Sequence, residues 1–272
     1  MRVLKHACFY TILFPILAAA SLPRIPFSGS LGATEGAGSI VGWERLGLGA
    51  NPAVLNPGTL GVSIAGYSPF GIDDVEVTEA AASWDGAMMG TSVAYQGFYA
   101  SEGGASSAWR LQESMHLGFG LTAGALALFQ DDESGSGFGG GAGVLWNRFS
   151  FVTLGGLSEI TPVFQGHELN TGLGADIGSG LPGGYAWRLC AENLHGSIHG
   201  TEWRFGAALK LHDLLSVNGG WSPDNQTTAL GIRFGFGNWE GFSALRRHAA
   251  LGTTPVQGMH WKKSTAKRRL AP

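Results

Sequence analysis

Six charged residues in the second half of the chain are the side chains best placed to do chemistry. Each lies on the polar side of a segment in which apolar residues alternate with small or polar ones. They are Asp176, Arg188, Glu192, Arg204, Lys210 and Arg233. Because successive side chains of a strand point to opposite faces, all six are predicted to line one interior. Charges there need partners or water. Two interpretations stay open: a charge network that rigidifies the interior, and a constriction or ligand contact.

Recognisable catalytic and metal-binding motifs are missing from the sequence. It has no G-x-S-x-G nucleophile elbow, no H-E-x-x-H and no paired C-x-x-C. Residues 135–140 match G-x-G-x-x-G, but a polar turn precedes them and alternation follows, so we reject dinucleotide binding. The pair His195 and His199 and the acids of 131–133 are interpreted as ordinary loop residues. The sequence therefore predicts no catalytic site, no metal and no cofactor.

Alternation along the chain predicts strands with one apolar and one small or polar face. The clearest segments are 229–236, 203–212 and 185–192, and residues 117–122 show the same pattern. In a soluble sandwich the apolar face meets another sheet, whereas in a membrane barrel it meets lipid. Segments of about 10 residues are long enough to span a bilayer as tilted strands, and the second face carries mainly Gly and Ala. We therefore predict one all-β, transmembrane, antiparallel barrel of about 12 to 14 strands.

Aromatic residues near the segment ends support the membrane barrel, because aromatic girdles mark the two membrane interfaces. These residues are Trp146, Phe149, Tyr185, Trp203, Trp221 and Trp239. Glycine is abundant, at 45 residues, yet 44% of the chain is apolar, which argues against disorder. The formal net charge of −3 argues against nucleic-acid binding. Cys190 is interpreted as a small side chain packed in a strand.

The whole chain divides into four predicted regions. Residues 1–20 have the basic start, apolar run and Ala18-Ala19-Ala20 of a secretory signal peptide. Residues 21–57 form an N-terminal segment that is either an unstructured leader or a plug. Residues 58–261 form the barrel, with Pro255 interrupting its last strand, and residues 262–272 form a basic tail. The tail is interpreted as solvated; attraction to anionic headgroups is the alternative.

Several ordered motifs resemble the PorV/PorQ group of outer-membrane proteins, which is related in fold to the FadL fatty-acid transporters. The first is Asn51-Pro52-Ala53, just before the first strand. The second pairs Asp176-Ile177-Gly178 with Asn193-Leu194, and the third runs from Gly219 through Pro223 to Leu251-Gly252. The motifs follow in the family's order over nearly the whole chain after the signal. Asn51 and Asn56 are predicted to cap turns, and Asn193 to end its strand.

The resemblance implies a barrel of about 14 strands in the bacterial outer membrane, with an N-terminal segment near or inside the lumen. It also implies lipid as a partner, together with either a hydrophobic small molecule or components of type IX secretion. Three functions stay open. The first is a transport or binding barrel, and the second is a closed scaffold for a surface or secretion assembly. The third, an outer-membrane hydrolase, has no motif to support it.

Overall fold

The computed structural model describes residues 37–43, 50–72, 74–101, 104–132, 135–149, 151–163, 166–181 and 184–264. Its strands form one closed antiparallel barrel in which each strand pairs with the next and β14 closes onto β1. The strands are β1 (Thr59–Tyr67), β2 (Val75–Asp85), β3 (Met89–Ala100), β4 (Gly104–Gly118), β5 (Leu121–Asp132), β6 (Gly135–Phe149), β7 (Val152–Val163), β8 (Gly166–Leu181), β9 (Gly184–Gly196), β10 (Gly200–His212), β11 (Leu215–Ser222), β12 (Thr227–Phe236), β13 (Trp239–His248) and β14 (Gly252–Ser264). The predicted all-β barrel is confirmed, with 14 strands.

The two faces of the barrel wall differ as the alternation predicted. In β12 the side chains of Leu230, Ile232 and Phe234 are exposed on the outer wall, whereas Thr227 and Ala229 are buried against the lumen. Large apolar side chains are exposed in the same way around the rest of the wall. Closure leaves no strand at an open sheet edge, so in the paired stretches the backbone hydrogen bonds are made between neighbouring strands. An apolar outer wall on a closed sheet places the protein in the bacterial outer membrane.

The barrel has two distinguishable ends. The lower end, where Thr59 and Ser264 lie, has connections of two or three residues; the upper end has connections of two to seven. Because periplasmic turns are the shorter ones, the lower end faces the periplasm. Exposed aromatic side chains lie at both ends, as predicted for Phe149, Trp203, Trp221 and Trp239; the side chain of Tyr185 lies outside the described part of the chain. Trp84, Phe149, Phe151, Trp187 and Trp239 lie near the lower end, and Tyr99, Phe138, Trp203 and Trp221 near the upper end.

Three local predictions were wrong. Residues 117–122 are not one strand, because Gly118, Phe119 and Gly120 have positive φ and turn the chain from β4 into β5. Asn193 does not end its strand, since β9 continues to Gly196. Pro255 does not interrupt β14; it lies outside the stretch paired with β1, where a missing donor is tolerated.

The strand boundary at the C-terminal end also differs from the predicted one. β14 runs to Ser264, so Lys262 and Lys263 belong to the last strand rather than to the tail. The predicted signal peptide at 1–20, the rest of the N-terminal segment at 21–36 and 44–49, and the tail from 265 lie outside the described residues. Within the described part of the chain, no helix is long and apolar enough to cross a membrane.

Candidate functional site: the lumen segment and its glycine seat

Two described stretches of the N-terminal region, 37–43 and 50–56, lie inside the barrel and are called the lumen segment. Ala37, Ile40, Ala50, Asn51 and Ala53 are all 0% exposed. The two stretches are joined by a backbone hydrogen bond in which the Asn51 N–H donates to the Ser39 carbonyl, at 3.0 Å. The lumen segment packs against the inner face of β5 to β10.

Inward-facing glycines make room for the lumen segment. A Cβ on Gly155 would lie under 3.0 Å from the carbonyl oxygen of Ile40, and one on Gly172 would lie 2.5 Å from the Ile40 Cδ1. A Cβ on Gly206 would lie 2.9 Å from the Ala37 Cβ. The missing side chains let the two backbones approach closely. Six glycines of β5 to β8 and β10 contact the lumen segment and are here called the glycine seat: Gly124, Gly143, Gly155, Gly172, Gly174 and Gly206.

Glu192 holds the first stretch of the lumen segment by its backbone. Its Oε1 accepts hydrogen bonds from the N–H groups of Ile40 (2.7 Å) and Val41 (3.1 Å). Its Oε2 accepts one from the Ser39 hydroxyl at 3.1 Å. Glu192 is 0% exposed. An acidic side chain thus accepts from three buried donors of the lumen segment.

Asp176 and Arg188 form a second anchor, on Trp43. The Trp43 indole N–H donates to Asp176 Oδ1 at 3.0 Å, and Arg188 Nε donates to Asp176 Oδ2 at 3.1 Å. The Arg188 guanidinium also lies 5.0 Å from the centre of the Trp43 ring, which is cation–π geometry. Cys190 packs beside Ala37 and Val41 in the same cluster, as a buried side chain in a strand.

Asn51 fixes the second stretch to the wall. Its Nδ2 donates to the carbonyl of Ile40 (2.8 Å) and lies within hydrogen-bond distance of the carbonyls of Val144 (3.3 Å) and Gly156 (3.1 Å). Its Oδ1 accepts from the Ala53 N–H at 2.9 Å. The predicted turn-capping role of Asn51 is thus present across Pro52, and the same amide also ties the lumen segment to strand carbonyls.

Two further contacts hold the ends of the second stretch. Arg110 Nη2 donates to the Ala50 carbonyl at 2.9 Å, and its Nη1 lies 3.4 Å from Glu159. At the lower end Asp85 Oδ2 accepts from the Asn56 N–H at 3.0 Å. Asn56 makes this contact with its backbone N–H rather than with its side-chain amide. The chain then continues into β1.

The remaining predicted site residues form ion pairs with nearby acids. Arg204 Nε lies 2.6 Å from Glu202, and Arg233 Nη1 lies 3.1 Å from Glu240. Lys210 pairs at 2.9 Å with Asp213 in the exposed β10–β11 turn, where the hydrogen bond from that ammonium lowers the pKa of Asp213. Of the family-motif residues, Gly178 lies on the inner face next to Arg188, whereas Asn193 is on the outer face of β9.

An apolar patch covers the opposite side of the lumen. Tyr67, Val77, Phe242, Ala244 and Val256 are buried together on the inner face of β1, β2, β13 and β14, and this set is called the upper apolar patch. The β1–β2 connection packs beside it. In that connection the Phe70 N–H donates to Thr254 Oγ1 at 2.7 Å and the Phe70 ring meets His248 edge-on. The lumen thus has an anchored wall and, on the opposite side, an apolar patch that lies beside the buried polar side chains of Glu79 and His260.

Sequence reasoning marked Trp43 only as a residue to bury in a plug and missed its anchoring contacts, as well as Arg110 and the glycine seat. The strand pattern held one usable signal for the seat: inward positions of β6 and β8 are glycines in succession, at 137, 139, 141 and 143 and at 172 and 174. Small residues on a lumen face predict that something else fills the space. Within the described residues, no three His, Cys, Asp or Glu side chains converge as metal ligands.

Trp43 offers a first test of the anchors. Trp43→Phe keeps a ring over Arg188 but removes the N–H bonded to Asp176, and should weaken docking of the lumen segment by about 1.5 kcal/mol. Trp43→Ala should cost about 1 kcal/mol more by removing the cation–π contact as well. The backbone N–H of residue 43 donates to the Gly38 carbonyl at 2.8 Å. Its hydrogen-exchange rate therefore measures the loss of docking in each variant and should rise in both. Equal exchange in the wild type and Trp43→Ala would contradict this anchor; Trp187→Ala, on the outer wall, is the control.

Comparison with known proteins finds similarity of fold alone. No family model matches the chain, and no curated protein matches it. The toluene transporter TbuX of Ralstonia pickettii superimposes with a TM-score of 0.61 at 11% identity, over 89% of this chain and 99% of TbuX. The monoaromatic hydrocarbon channel CymD gives 0.55 at 11% identity, over 90% and 99%. Omp33 of Acinetobacter baumannii gives 0.54 at 10% identity, over 75% and 98%.

Proposed function

We propose that this barrel carries a hydrophobic small molecule across the outer membrane, with the lumen segment acting as its plug. The observation that supports this most is the division of the lumen into an anchored wall and the upper apolar patch. Solute-binding surfaces are mostly apolar with a few placed polar groups.

Two proteins of similar fold carry hydrophobic small molecules, which supports this proposal. TbuX is a toluene transporter and CymD a monoaromatic hydrocarbon channel, and both superimpose on most of this chain. At 11% identity they support the architecture, while the residues of the upper apolar patch support the solute class. The solute therefore enters from the upper end, contacts the patch, and passes below it when the lumen segment moves.

Val256→Asp in the upper apolar patch tests the transport route. Val256 is 0% exposed, so a carboxylate there is poorly hydrated and repels an apolar solute. We expect the initial rate of toluene uptake by cells that depend on this barrel to fall by about tenfold, the effect of about 1.4 kcal/mol. Asn218→Asp is the matched control, because it puts a carboxylate on the inner face of β11, outside the patch.

The result is interpretable only if both variants reach the membrane. Membrane barrels commonly migrate differently on gels before and after boiling, so the same heat-dependent shift in both establishes folding. Unchanged uptake in folded Val256→Asp would refute passage over the patch.

A closed scaffold is the second candidate, and one observation favours it. The glycine seat lets the lumen segment approach the wall closely at six strand positions. A barrel that stays shut in this way would serve as a platform for a surface or type IX secretion assembly, as the PorV/PorQ resemblance implies. Absence of uptake by the wild type, together with co-purification of secretion components, would favour this candidate.

A further inference from the structure

The outer wall carries a hollow near the upper end, and most of its lining faces away from the lumen. Its volume is 420 Å³, and it lies over β2, β3, β4 and β5. Strand register places Thr78, Gly97, Ser107 and Asp131 side by side across these four strands, and all four face outward. Glu76, Tyr99 and Ala105 form the next row above them. We call this surface the outer hollow.

Gly97 is the reason that the hollow exists. A Cβ at this position would lie 2.7 Å from the Tyr95 hydroxyl and 3.2 Å from Thr78 Oγ1. Tyr95 therefore leans over the bare backbone of Gly97 instead of standing out into lipid. The neighbouring residue in the row, Ser107, is also small. A shallow floor of polar small residues results, bordered by aromatic rings.

The outer hollow lies at the level of lipid headgroups. The row directly below it consists of Ala80, Tyr95, Trp109, Phe129 and Phe138, in register on five strands. Tyr95 and Trp109 have ring centres 4.8 Å apart, as have Phe129 and Phe138 at 5.0 Å. Such an aromatic row marks the membrane interface. The hollow lies just outside it, on the upper side, where the headgroups of the outer leaflet pack.

The lining of the hollow combines two carboxylates, hydroxyls and tyrosines, with no Lys or Arg among the described residues that form it. These residues are Glu76, Thr78, Tyr95, Gly97, Phe98, Tyr99, Ala105, Ser106, Ser107 and Asp131. Carboxylates accept hydrogen bonds strongly and repel other anions. Ring faces offer flat apolar surfaces with hydroxyls at their edges. A volume of 420 Å³ lies within the range of small-molecule sites.

We propose that the outer hollow binds the sugar headgroup of a glycolipid in the outer leaflet. A sugar presents hydroxyl donors, which suit Glu76 and Asp131, and a C–H face, which suits the rings of Tyr95 and Tyr99. The acyl chains of the same lipid would continue downward over the apolar wall and the aromatic row. Phosphate headgroups are disfavoured by the two carboxylates.

Lipid retention measured by native mass spectrometry tests this assignment. The protein is purified in a sugar-free amine-oxide detergent and offered glucosyl-diacylglycerol or phosphatidylglycerol with the same acyl chains. We expect the glucosyl lipid to be retained with about tenfold higher affinity. Gly97→Leu, which fills the hollow, should abolish that preference. Gly219→Leu is the matched control, because Gly219 also faces outward but lies on β11.

Two further measurements separate a sugar from an organic cation. Asp131→Asn keeps an acceptor for sugar hydroxyls but removes a charge, so glucosyl-lipid retention should change by less than about threefold. Dodecyltrimethylammonium, offered alone, should bind more weakly than the glucosyl lipid. Equal retention of the two lipids, or a preference that survives in Gly97→Leu with its heat-dependent gel shift intact, would overturn the proposal. Tighter binding of the cation would do so as well.

Discussion

Gly155→Val is expected to displace the lumen segment from the barrel while the barrel itself stays closed. The new Cβ would lie under 3.0 Å from the carbonyl oxygen of Ile40, which is backbone and has no rotamer by which to move away. Ile40 is 0% exposed and held by Glu192, so the first stretch of the lumen segment must shift as a whole. Overpacking of this kind costs about 1–3 kcal/mol, and valine adds two further methyl groups.

Single-channel conductance in a planar bilayer measures this displacement directly. Wild-type barrels should conduct rarely, and Gly155→Val barrels should show long-lived open levels. The control is Gly219→Val, on the outer face of β11, where the nearest atom to the new Cβ would be the Ala229 carbonyl oxygen at 3.6 Å. It should conduct like the wild type. Low conductance in Gly155→Val, with the gel shift retained, would mean that the lumen segment does not close the pore.

The barrel could be predicted from sequence because lipid imposes a simple rule on each strand. Leu230, Ile232 and Phe234 meet hydrocarbon on every second position, and no local packing choice alters that requirement. The rule failed where a turn had the same composition as a strand. Gly118-Phe119-Gly120 alternates like its neighbours, and only the positive φ of all three residues reveals the reversal.

The lumen contacts could not be predicted in the same way, because alternation fixes the face of a residue but not its height or its partner. Asp176 and Arg188 meet diagonally, since Asp176 pairs in register with Cys190 and Arg188 with Gly178. Arg204 bonds along its own strand to Glu202. Glu192 has a partner more than 150 residues away, in a segment without any alternation. Each of these contacts depends on strand register or on the path of the chain in space, neither of which alternation specifies.

Glu192→Ala is expected to release the first stretch of the lumen segment without opening the barrel wall. The substitution leaves the Ile40 and Val41 N–H groups without their acceptor in a place that water does not reach. A buried donor that loses its partner costs about 1–3 kcal/mol. Two such donors, together with the Ser39 hydroxyl, make local opening more favourable, and hydrogen exchange at residues 40 and 41 should accelerate by about 100-fold.

The geometry of Glu192 makes a graded series possible. Glu192→Gln keeps one acceptor oxygen where Oε1 receives both N–H groups, so its exchange rates should lie between those of the wild type and Glu192→Ala. Glu168→Ala is the matched control, because Glu168 is also buried on the inner wall but accepts from the His199 N–H in the upper connection. It should loosen that connection and leave residues 40 and 41 protected. If Glu192→Ala exchanges like the wild type at residues 40 and 41, the glycine seat rather than this carboxylate holds the lumen segment.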